Sequence, residues 1–200
     1  MNNLNEESDT NSFTGASTAL FRIGPQWGYG MAQDKDNLDA WELYSEGYRR
    51  AADQLYAAWD PKGTGARLLL FPLAYLYRHH IELLVKELLL LSTKFLQLPP
   101  DWKWRHDDIR FWKLLRPMID KLRAIHLSGF SVNQLDSIER LLTELSERDP
   151  NTQLFRYPIQ RNSSCHLQQL DSLDLKNFCS LMQQLSAPLS NLCGLMKAVL

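Results

Sequence analysis

RLLLFPLAYLYRHHIELLVKELLLLSTKFL, residues 67–96, decides the fold. At 100° per residue, Leu69, Leu70, Leu73, Leu76, Ile81, Leu84, Val85, Leu88 and Leu91 spread over most of a helical circumference. One stripe, roughly 100° wide, is left for Arg78, His79, Glu82 and Lys86. Pro72 falls in an early turn, where a missing N–H is tolerable. A helix that is apolar nearly all round belongs at the centre of a bundle, so the four polar groups of its stripe are expected to be buried. Buried charges persist only when paired or hydrogen-bonded, and the stripe is therefore also an expectation about partners.

The rest of the chain agrees with an all-α core. The 200 residues hold 37 leucines against 3 valines and 7 isoleucines, a ratio that favours helix formers over strand formers. A chain of this length suits one domain. We expect a single helical bundle of about five helices, residues 34–200, preceded by an irregular, partly disordered arm over residues 1–33, where FRIGPQWGYGM mixes glycines, a proline and aromatics. The first helix runs from Asp34 and stops near Trp59, before Asp60-Pro61 and Gly63. The second is the stretch quoted above. A connector from Ser92 to Arg105 leads to a third helix, capped by Asp107 or Asp108, with Pro117 as a kink site. Ser131 and Gln134 have capping-box spacing for a fourth, closed by Asp149-Pro150, and its short link to the third predicts antiparallel packing. A long loop without period, Asn151 to about Leu170, precedes the last helix, which begins near Asp171 or Asp174 and carries Pro188.

Charge and composition exclude several classes of function. Lys plus Arg number 22 and Asp plus Glu 23, so no global field draws the chain to nucleic acid or an anionic membrane, and any such contact must be local. The N-terminal MNNLNEESDTNSFTG lacks the basic and apolar segments of a secretory signal. The longest apolar run, Leu68 to Tyr77, is far short of a membrane span. We expect a cytoplasmic protein with no membrane contact, in which Cys165, Cys179 and Cys193 are reduced thiols, two of them in the core.

Candidate chemistry begins on the stripe. Arg78, Glu82 and Lys86 are spaced four residues apart and can form an ion-pair ladder; burial makes it an organising network, with His106, Asp107 and Arg156 as its expected partners from other segments. His79, on the polar side, is the candidate for titration, while His80 points to the leucine-rich side as a hydrogen-bonded packing residue. Adjacent histidines diverge by 100° on a helix, so His79, His80, Glu82 and His106 do not make a metal site, and neither metal nor cofactor is expected. Trp102-Lys103-Trp104-Arg105-His106 interleaves rings with cations, which suits either unpaired nucleobases or packing over the end of the bundle. Arg161-Asn162 and His166 could serve metal-free RNA cleavage, the imidazole moving a ribose 2′-hydroxyl proton and the guanidinium stabilising the phosphorane.

RHHIELLVKELLLL (78–91), HDDIRFWKLL (106–115) and FRYP (155–158) together resemble the HEPN superfamily of helical bundles. The resemblance implies an all-α, commonly dimeric protein of bacterial toxin–antitoxin or phage-defence systems. Active members are metal-independent ribonucleases marked by an arginine, a short spacer often led by a polar residue, and a histidine. Arg161-Asn162 to His166 fits that spacing, although it falls in an expected loop and not on a late helix. RNA or nucleotide, a protein antitoxin or defence partner, and a second copy of the chain are the partners so implied. The alternative is a non-catalytic helical module that binds nucleotide or protein and uses the stripe as a structural clamp.

Overall fold

A computed structural model describes residues 38–98, 108–125, 130–150, 152–158, 173–198 and 200. They form five helices: α1 (Leu38–Ala57), α2 (Ala66–Phe95), α3 (Asp108–Ile125), α4 (Val132–Arg148) and α5 (Leu175–Ala198). No strand occurs among the described residues, so the chain is an all-α bundle as expected. The arm over residues 1–33, the Trp102–Arg105 segment, His106, Asp107, Arg161, Cys165 and His166 lie outside the described residues.

α2 is the inner post. It packs against α1, α3 and α5, and Leu73, Tyr77, Ile81, Val85, Leu88 and Leu91 along its length have no solvent exposure. Side-chain contacts fix the directions of its neighbours. Tyr77 meets Asp53 and His80 meets Ser45, so α1 runs antiparallel to α2. Tyr77 meets Gln183, His80 meets Ser186 and Glu87 meets Lys197, so α5 runs parallel to it. α3 and α4 pair antiparallel, with Trp112 and Arg116 reaching Glu139 and Arg116 reaching back to Asp136. Cys179 and Cys193 are free thiols inside this core.

Local signals account for most helix ends. The expected capping box forms on α4, where the Gln134 N–H donates to Ser131 Oγ and the Ser131 N–H donates to Gln134 Oε1. Asp174 caps α5 by accepting the Asn177 N–H on Oδ1 at 3.0 Å. α2 ends with the Gln97 N–H on the Lys94 carbonyl and the Leu98 N–H on the Thr93 carbonyl, a Schellman closure with Gln97 at φ 51°. For α3, the cap is expected from Asp107 or Asp108, and Asp107 lies outside the described residues. Asp108 is its first residue, yet its carboxylate turns to α2 and does not cap the helix it begins. No helix among the described residues is long and apolar enough to cross a membrane.

Candidate functional site on the polar stripe of α2

The stripe is divided into a buried clamp and a half-exposed face. Arg78 is 1% exposed and ion-pairs through Nη1 with Asp108 at the start of α3. Its Nε lies 3.7 Å from Oδ2 of Asp149, the residue that closes α4. The ladder expected along one helix is thus built only in its second half. Lys86 Nζ sits 2.5 Å from Glu82 Oε1, whereas the ion pairs of Arg78 go to other segments. Burial raises the Asp108 carboxyl above its ordinary range; Arg78 opposes that shift and the nearby Glu82 adds to it.

Asp149 carries the clamp outward. Its Oδ1 accepts the N–H groups of Gln153 and Leu154 at 2.7 and 3.0 Å, and its carbonyl accepts the Thr152 N–H. Thr152 is held at φ 53°, a left-handed conformation that costs a β-branched residue energy and persists only where its surroundings impose it. Leu154 and Phe155 then bury against Ala74, Phe71, Tyr75 and Phe178. The next two residues, Arg156 and Tyr157, are delivered to the surface beside α2.

On that surface His79 is the central group. Its ring meets Tyr48 edge-on at 4.5 Å and stacks on Tyr75 at 5.6 Å, the two planes 12° apart. Nδ1 lies 3.7 Å from Oε2 of the buried Glu82, and 23% of the side chain is exposed. The Arg156 guanidinium lies 5.8 Å from the centre of the Tyr75 ring and 5.3 Å from that of Tyr157, a cation over two aromatic faces. An imidazole near a carboxylate, a solvent-facing guanidinium and a half-exposed tyrosine are parts that can move a proton next to a bound anion.

The expected site residues are thus distributed unevenly. Arg78, His79, Glu82, Lys86 and Arg156 gather around one stretch of α2, while His106, Asp107, Arg161 and His166 fall outside the described residues. Arg156 is exposed and contacts Tyr75 and Tyr157, so it reaches the stripe through a ring and not through a carboxylate. His80 is the expected packing histidine, bonded to Ser45 and Ser186. Sequence reasoning missed the roles of Asp108 and Asp149, treated only as helix-end signals, and did not single out Tyr48 or Tyr75. The signal in the sequence was only that a buried arginine needs carboxylates; which residues supply them depends on contacts between distant segments. No group of three His, Cys, Asp or Glu among the described residues is placed to hold a metal ion. No family model, curated protein or solved structure matches the chain.

Proposed function

We propose that this protein is a HEPN-like bundle of the defence or toxin–antitoxin kind that engages RNA and cleaves it without metal, through the face built on His79. The observation that carries this reading is the His79 imidazole, whose Nδ1 lies 3.7 Å from buried Glu82 and whose ring stacks on Tyr75, the ring that the Arg156 guanidinium also approaches. Nε2 takes the proton of a ribose 2′-hydroxyl, O2′ bonds to phosphorus and the P–O5′ bond breaks. The leaving 5′ oxygen takes its proton from water, and a 2′,3′-cyclic phosphate remains. Arg156 offsets the charge that builds on the phosphorane, and Tyr157 offers a face to an unpaired base.

Purified protein incubated with a single-stranded RNA and with tRNA, in EDTA, tests the reading. Cleavage is expected to persist in the chelator and to fall about 10²-fold or more in His79→Ala, with Arg156→Ala weakening both binding and turnover. An Arg161→Ala/His166→Ala variant, assayed alongside, shows whether that pair does the chemistry instead. RNA left intact by the wild-type protein removes the nuclease.

A second reading is favoured by burial. Arg78, Asp108 and Asp149 are no more than 3% exposed and serve as a structural clamp, which fits a non-catalytic module that binds RNA, nucleotide or a protein partner on the same face. Binding of RNA without cleavage, lost in Arg156→Ala and Tyr157→Ala, separates it from the first.

A further inference from the structure

A trough of about 770 Å³ lies between α4 and α5. Its floor is apolar, made by Phe130, Ile138, Leu141, Leu181, Leu185 and Pro188. Pro188 sits inside α5 and has no N–H, so the Gln184 carbonyl lacks its helical donor, and Gln184 lines the same trough. Beyond Arg140, which lines both hollows, a second concavity of about 520 Å³ continues along α4. Four of its six lining side chains are carboxylates: Asp136, Glu139, Glu144 and Glu147. Arg116 reaches the first two but is shared with Asp120, which leaves this edge in negative excess.

We propose that this trough docks one amphipathic helix of a partner protein, apolar toward the floor and basic toward the α4 edge. A helix satisfies its own backbone, fits the valley between two helices, and needs no sheet edge, of which the described residues have none. α4 is 17 residues long, so a visiting helix of about four turns matches it. Charge decides between occupants. Nucleic acid is repelled by the carboxylate edge. A second copy docked about a two-fold axis sets like-charged edges against each other. A lysine- or arginine-edged helix is complementary to that edge.

The test uses the full chain with labelled Ile, Leu and Val methyl groups, and two 15-residue amphipathic peptides of identical pattern, one leucine–lysine and one leucine–glutamate. The lysine peptide is expected to shift the methyls of Ile138, Leu141, Leu181 and Leu185 saturably, and the glutamate peptide to leave them unmoved. Glu144→Lys/Glu147→Lys should weaken the lysine peptide at least tenfold and confer binding of the glutamate peptide. Gln184→Trp, an exposed substitution that fills the trough, should abolish binding of the lysine peptide while leaving the melting temperature in place. Shifts located elsewhere, affinity indifferent to charge reversal, or the same methyls moved by an RNA oligonucleotide would each overturn the proposal. So would a concentration-dependent dimer in sedimentation that Gln184→Trp dissolves, since the trough would then be occupied by a second copy.

Discussion

His79 and His80 are consecutive and differently employed. His80 is 1% exposed; its Nδ1 is 2.8 Å from the Ser45 carbonyl, which can only accept, so that nitrogen carries the proton and Nε2 accepts from the Ser186 hydroxyl at 2.7 Å. Burial holds its pKa down from 6.5 to about 4, only partly offset by the Ser45 carbonyl. The unfolded chain therefore takes up this proton before the folded one does. The contribution is fully present above pH 6.5 and is lost as pH falls toward 4, a change of about 3 kcal/mol at most. Urea titrations at pH 7, 6, 5 and 4 should show the decline. His80→Asn, which keeps an N–H for Ser45, should be less stable at pH 7 yet flatter across that range. An equal slope in both proteins would assign the decline to other groups. The comparison is needed because Asp108, whose pKa burial raises, acts with the opposite sign: its proton is kept by the folded chain, and stability falls as pH rises above 3.8.

At the scale of the helix, α2 shows what periodicity can and cannot say. Its span, central position and sheltered stripe follow from which residues are apolar and how far apart they stand, because a 30-residue segment with so few polar positions has only one way to face a core. The partners of Arg78 do not follow. Spacing of four states who can meet on one helix, but Asp108 and Asp149 arrive from α3 and the end of α4, separated in the chain by 30 and 71 residues, and nothing local registers them. The placement of Arg156 and Tyr157 is hidden for the same reason, since it depends on two main-chain hydrogen bonds to Asp149 and on Leu154 and Phe155 finding Ala74. The last turn of α2 offers a separate test. Gln97 holds a left-handed position that glycine occupies freely. Gln97→Gly is expected to stabilise the protein by about 0.5–1 kcal/mol, measured as a rise in melting temperature. A fall would mean that the Gln97 side chain contributes more than its backbone costs.

For the whole molecule, the Arg78 clamp ties α2 to α3 and to the turn after α4. Arg78→Met strands two buried carboxylates and should cost about 3–5 kcal/mol in urea unfolding. Hydrogen exchange should also reach the amides of Gln153 and Leu154 before those of α1 and α5, and uniform loss of protection would show that the clamp does not act locally. The topology has a different consequence. The surface of α2 that carries Tyr77, His80 and Glu87 is closed by α5, whose contacts lie more than a hundred positions downstream. During synthesis, the greasy side of the central post must wait for the ribosome to deliver residues 175–198. Until then it is a natural target for chaperones, and the nascent chain is at its most vulnerable just before it can complete itself.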